Sequence, residues 1–148
     1  MKTYIASDHG GYEAKKELIK YLQDKGYVME DMGNKKLDPL DDYPDFIIPL
    51  AEKVAKELGA TGIIIGRSGN GEAIMANKVK GIRAAVCINK KMAKMARGHD
   101  DANILSLGAD YTDIDTIKKV ADTFLETFFS KKKKYARRVN KITSYETA

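Results

Sequence analysis

Short apolar runs alternate along this chain with longer stretches in which apolar residues recur every three or four positions. Tyr4-Ile5-Ala6 is the first run and ends at Ser7-Asp8-His9-Gly10-Gly11. Beyond it Tyr12, Ala14, Leu18, Ile19 and Leu22 keep helical spacing, and Gly26 stands where a helix stop is expected. Tyr27-Val28-Met29 reads as a second strand, and the polar stretch 34–42, with Pro39, reads as a loop. Tyr43-Pro44 opens a helix to about Leu58 whose apolar face is Ile47, Ile48, Val54, Ala55 and Leu58. Residues 61–66 form a continuous apolar run bounded by glycines, the mark of a strand buried on both faces. Two more strands are expected at 82–88, which includes Cys87, and at 103–108. Helices are expected after Glu72 to about Val79, and at 90–98, 113–129 and 135–146. Met92 and Met95 read as packing residues of their helix.

Strands and helices in alternation predict an α/β fold, an open five-stranded parallel sheet with helices on both faces. No repeat and no linker divides the chain, so residues 1–148 are expected to form one domain. Sheets of this kind bind ligands at the carboxyl ends of their strands. The polar clusters 7–11 and 66–72 each follow a strand directly and should share that edge.

Charge adds an asymmetry. Of 26 basic residues, seven lie in 131–141, while the segment 131–148 holds only one of the 21 acids, Glu146. The body is near neutrality and the tail is strongly basic. A nucleic-acid-binding tail would interleave aromatic residues for stacking, and this one has only Tyr135 and Tyr145, so no nucleic-acid partner is expected. One cysteine, Cys87, precludes an internal disulfide and points to a reducing, cytoplasmic setting. Cys87 itself reads as core packing. No run approaches the ~20 apolar residues of a membrane span.

The two loops carry the candidate chemistry. Gly66-Arg67-Ser68-Gly69-Asn70-Gly71 holds more glycine, serine and asparagine than a tight turn needs. It lacks the Gly-Lys-Ser/Thr ending of a nucleotide loop, so a small anion or oxyanion suits its backbone N–H groups better. Glu72 follows at once. It complements the dipole of the next helix or acts as a general base beside those donors, and spacing alone does not choose. Asp8 and His9 end the first strand as a surface pair or as ligand contacts. His99 lies just before the fifth strand, and histidine is a residue type suited to proton transfer.

Taken in order, Ser7-Asp8-His9-Gly10-Gly11, Gly66 to Glu72 continuing to Ala76-Asn77-Lys78, Gly81-Ile82-Arg83-Ala84, and His99-Asp100-Asp101-Ala102-Asn103 resemble the type B ribose-5-phosphate isomerases. That family also includes galactose-6-phosphate and allose-6-phosphate isomerases, and the resemblance spans about residues 2–142. It implies a Rossmann-like three-layer sandwich and a homodimer or dimer of dimers with sites shared between subunits. It implies no metal or organic cofactor, no membrane partner, and aldose–ketose isomerisation through a cis-enediolate. One branch of the family uses a cysteine base at the strand end, where this chain has Gly66. The other uses a glutamate after the glycine loop, which corresponds to Glu72. By the same resemblance Ser68 and the loop N–H groups from Arg67 through Gly69, Asn70 and Gly71 would hold the enediolate oxygen. His99 would open the sugar ring, Asp8 would orient hydroxyls, His9 would approach the phosphate, and Lys134 and Arg138 would clamp it.

Three positions depart from the family pattern. Asp100 stands for an asparagine, Asp110 for an arginine, and Lys134 for the first of two tail arginines. Lysine keeps the charge but loses bidentate geometry. Aspartate at 110 reverses the charge near the expected phosphate, which Arg67 or Lys131 would have to offset. The resemblance makes ribose 5-phosphate the expected substrate, and these departures count against it. Another aldose or aldose phosphate, or a sugar-binding paralogue without catalysis, is the alternative.

Overall fold

A computed structural model of the chain describes residues 2–147. Five parallel strands form one sheet: β1 (Lys2–Ser7), β2 (Val28–Asp31), β3 (Thr61–Gly66), β4 (Ala84–Val86) and β5 (Ile104–Gly108), in the order β2-β1-β3-β5-β4. The helices are α1 (Tyr12–Asp24), α2 (Pro44–Lys56), α3 (Asn70–Ala76), α4 (Lys90–Asp100), α5 (Ile114–Glu126) and α6 (Lys133–Thr147). A short 3-10 turn, His9–Gly11, joins β1 to α1.

Alternate strand residues feed two cores. On one face Ile5, Ile63 and Leu105 pack beneath α1, α4 and α5 through Leu18, Ala93, Val120 and Phe124. On the other Tyr4, Ile64 and Ile104 pack beneath α2 and α3 through Leu50, Val54 and Ala76. The result is the expected three-layer sandwich. The apolar run 61–66 is apolar throughout because helices cover both faces of β3.

Boundaries shift where side chains cap the backbone. Asn89 accepts a hydrogen bond from Met92 N–H at 2.8 Å, and Asp113 accepts one from Thr116 N–H at 2.8 Å, which starts α4 and α5. The fourth strand is three residues rather than the expected seven. Asn77 bonds both the N–H and the carbonyl of Ala84 from the open side, so the edge is blunted by a side chain. The face of α2 also differs: Ile47, Leu50, Ala51 and Val54 are buried, whereas Leu58 lies beyond the helix end and is fully exposed. Met92 and Met95 sit on the outer side of α4, so the reading of them as packing residues fails. Among the described residues no helix is long and apolar enough to cross a membrane.

Lys15 of α1 is buried and reaches under the sheet's edge. Its Nζ donates to Asp31 Oδ1 at 2.9 Å and to the Asn34 carbonyl at 2.6 Å. It thereby fastens the segment after β2 to α1. Replacing it by methionine fills the space but leaves two acceptors unmet. Lys15→Met is expected to lower the unfolding free energy by roughly 1–3 kcal/mol in a urea titration; an unchanged midpoint would show that the tether contributes nothing.

Candidate active site

In the strand order, β1 sends the chain through α1 to β2 on one side, and β3 sends it through α3 to β4, beyond β5, on the other. Between them the carboxyl edge of the sheet opens. The register sets Ser7 opposite Ile65, so Asp8 and Gly66-Arg67 leave the sheet side by side. Gly11 lies on the backbone of Ile65, where a Cβ would stand 2.5 Å from the carbonyl oxygen. The turn after β1 can press this close only with glycine there.

Glu72, in the first turn of α3, folds back onto the end of β3. A Cβ on Gly66 would overlap the Glu72 carboxylate, so the absence of a side chain at 66 is what creates the carboxylate's seat. Glu72 is 4% exposed. Burial raises its pKa, the neighbouring charge of Asp8 raises it further, and the N–H groups of Glu72 and Gly69 partly oppose this. A carboxylate so placed has a greater hunger for protons than one in water, as a base acting on a weak carbon acid requires.

The loop beside it is fixed at both ends. Ala109 N–H donates to Gly66 O at 2.8 Å and Asp110 N–H donates to Arg67 O at 3.0 Å, which stitches the loop to the end of β5. Gly69 has a φ of 82° and its carbonyl accepts from Ser106 Oγ at 2.6 Å. Ser68 Oγ accepts from Asn70 N–H at 3.1 Å. Gly71 faces the Tyr43 ring too closely to carry a Cβ. Tyr43 therefore walls the loop, although its sequence position marked only the start of a helix.

Asp8 is buried, and its Oδ1 accepts from Gly10 N–H at 2.9 Å. His9 Nδ1 lies 2.7 Å from Asp41 Oδ1, and Asp41 Oδ2 accepts from Asn34 Nδ2 at 2.8 Å. Ligand atoms of Asp8, His9 and Asp41 come within 4.8 Å of one another, a spacing that a metal ion would fit. His9 Nδ1, both Asp41 oxygens and Asp8 Oδ1 are already engaged, so the cluster is a hydrogen-bonded network rather than an open ligand set. Asp41 and Asn34 fell in a stretch that reads only as polar loop. No spacing rule links them to His9.

Arg67 crosses the rim. Its stem passes over Gly10, and Nη1 meets Asp110 Oδ2 at 3.3 Å. Lys131 lies instead in a cleft with Arg83 and Arg97. The charge at 110 is thus answered by Arg67.

The remaining site residues are elsewhere on the chain. His99 and Asp100 end α4 and precede β5, so they lie at the amino edge of the sheet. The length of β5, roughly 13 Å, separates them from the edge that holds Glu72. His99 stacks on Tyr135 of α6 with ring centroids 4.1 Å apart. Lys134 and Arg138 are exposed on the same helix. One chain therefore unites Glu72, Asp8, His9 and the loop 67–71, and it keeps His99, Asp100, Lys134 and Arg138 apart from them. Cys87 is buried and its thiol pKa is pushed up to about 11, which suits packing rather than nucleophilic chemistry.

A family model described as Ribose/Galactose Isomerase matches residues 3–142. The chain is 42% identical over 143 residues to a probable ribose-5-phosphate isomerase B of Mycoplasma pneumoniae, covering 97% of this chain and 93% of that protein. Its structure resembles a ribose-5-phosphate isomerase B of Clostridium thermocellum with a TM-score of 0.93 and 44% identity, over 99% of this chain and 98% of that one. It also resembles the Mycoplasma genitalium ribose-5-phosphate isomerase B crystallised with bound ribulose-5-phosphate. There the TM-score is 0.95 and the identity 39%, over 99% of this chain and 96% of that one.

The raised pKa of Glu72 has a consequence for stability. The folded state binds this proton more tightly than the unfolded chain, so the associated stability is present at low pH and is lost as pH rises through the folded value. Glu72→Gln is therefore expected to raise the melting temperature at pH about 7, with the gain vanishing below the ordinary carboxylate range near ~4. A melting temperature at pH 7 equal to or below that of the parent chain would contradict the raised pKa of the buried Glu72.

Proposed function

The chain belongs to the ribose/galactose isomerase family, and from that footing we propose that it interconverts ribose 5-phosphate and ribulose 5-phosphate through a cis-enediolate, with Glu72 as the base. The observation that carries this is the Glu72 carboxylate, nearly dry against Gly66 and beside a loop of backbone donors. Moving a hydrogen from C2 to C1 oxidises one carbon as it reduces the next. The step needs a base that keeps its proton, and no redox cofactor. Glu72 takes the C2 proton. Ser68 and the N–H groups of Arg67, Ser68 and Gly71 meet the developing enediolate oxygen, while those of Gly69 and Asn70 stay on Glu72 and Ser68. The O2 hydroxyl proton passes to O1, and Glu72 returns the carbon-bound proton to C1 on the same face. Asp8 orients hydroxyls. His9 and Arg67 face the phosphate end.

Ring opening falls to His99, and phosphate clamping to Lys134 and Arg138, all supplied by a second copy of the chain. Two observations support a homodimer or a dimer of dimers. These residues occupy the edge of the sheet opposite Glu72. The same edge carries apolar surface that no described residue covers: a groove of about 710 Å³ that includes Ile82, Ala84, Ala85, Ile142 and Tyr145, with Ile74 and Ile88 exposed as well. Asp100 borders the same groove, so its charge would enter the partner's site. The buried single cysteine fits a cytoplasmic setting.

In an isomerase assay Glu72→Gln is expected to lower kcat by about 10²- to 10⁴-fold; turnover like the parent's would remove Glu72 as base. The shared site has its own readout. Glu72→Gln and His99→Ala chains, each inactive alone, are expected to recover about a quarter of parental activity when co-refolded, because half the dimers then hold one intact site. Failure to recover any activity would show that both residues act within one chain.

A further inference from the structure

Asp41, on the polar loop between β2 and α2, is tied down more firmly than a loop residue needs to be. Its side chain is 8% exposed. Oδ1 accepts from both the backbone N–H of His9 at 3.0 Å and its ring Nδ1 at 2.7 Å. Oδ2 accepts from Asn34 Nδ2 at 2.8 Å. Asn34 is itself buried; its N–H donates to Ser7 O at 2.8 Å and its carbonyl accepts from Lys15. Both oxygens of the carboxylate are thus fixed against β1 and α1.

An ionised carboxylate only accepts, so Nδ1 of His9 must carry the proton in this arrangement. That decides what the other ring nitrogen does. In the cation Nε2 is a donor; in the neutral ring it is a lone pair, which repels an anion. We propose that Asp41 is a positioning residue for His9: it commits Nδ1, turns Nε2 toward the phosphate of the substrate, and keeps the ring a donor there to higher pH. This rests on the isomerase reading above, in which His9 faces the phosphate.

The surroundings act in the same direction. The hydrogen bond to Asp41 raises the His9 pKa most, desolvation opposes it, the charges of Asp8 and Asp41 add to the rise, and Arg67 works against it. Glu13 and Glu17 of α1 and Asp113 before α5 line the cleft that His9 borders, and they are also acidic. Phosphate binding through Nε2–H is therefore present below the raised pKa and lost as pH climbs through it. Removing the Asp41 charge moves that loss to lower pH.

The chain has two histidines, so ring-proton NMR follows both, with His99→Gln giving the assignment. In unliganded Asp41→Asn the His9 midpoint is expected to fall, with its nitrogen shifts losing the Nδ1–H preference. In the assay KM for ribose 5-phosphate at pH about 7.5 is expected to rise about threefold to tenfold, with a smaller change in kcat. In a His9→Gln background Asp41→Asn should add nothing to KM. An unchanged His9 midpoint overturns the proposal, as does an equal KM penalty without His9. If Asp41→Asn does not fold, Asp41→Ser, which removes the same carboxylate, is read instead; no fall of the midpoint there overturns the proposal as well. The titration does not depend on turnover. A chain without isomerase activity would end the functional reading while the midpoint still decides the dyad.

Discussion

The pairing of β1 with β3 is the constraint on which the site depends. Parallel strands in this register end together, Ser7 beside Ile65, so two loops that are nearly sixty residues apart in sequence emerge as neighbours. A slip of one residue would turn every side chain of β1 to the opposite face and move the Tyr4 and Ile5 contacts between cores. The register is therefore held by both hydrophobic layers at once. The chemistry inherits its precision from packing that never touches substrate.

A second layer of organisation is polar. From Lys15 the connections run to Asp31 and Asn34, then to Asp41 and His9. Each member is an acceptor or donor whose partner is itself held, and the described residues contain no buried side-chain polar atom without a partner. Such a network is rigid because releasing one bond leaves another group unsatisfied in a dry place. It gives a loop of low hydrophobicity a defined position without a core of its own.

The strand–helix alternation, the shared edge and the chemistry of residues 66–72 were legible in the sequence because period and glycine spacing are local signals. The apolar run 61–66 and the glycine loop are read directly from neighbouring residues. Asp41 and Tyr43 were not legible as site residues, since their partners His9 and Gly71 are distant in the chain and only the fold joins them. Met92 and Met95 misled for the opposite reason: helical spacing names a face of α4 but not which face meets the sheet. The opposite-edge position of His99 follows from counting strands, because a residue that precedes a parallel strand cannot share an edge with one that follows it.

The seat of Glu72 also limits how such a site changes over generations. Its carboxylate occupies the volume that any side chain at 66 would fill. A cysteine side chain at 66 would claim the same volume, so a thiol there and the Glu72 carboxylate cannot both be seated in one chain of this geometry. A lineage passing from one to the other has no doubly equipped ancestor to pass through. It must cross a sequence with neither group in working position, or change both codons in a single step. Ordinary drift, one substitution at a time, would then tend to keep each lineage on the side where it began.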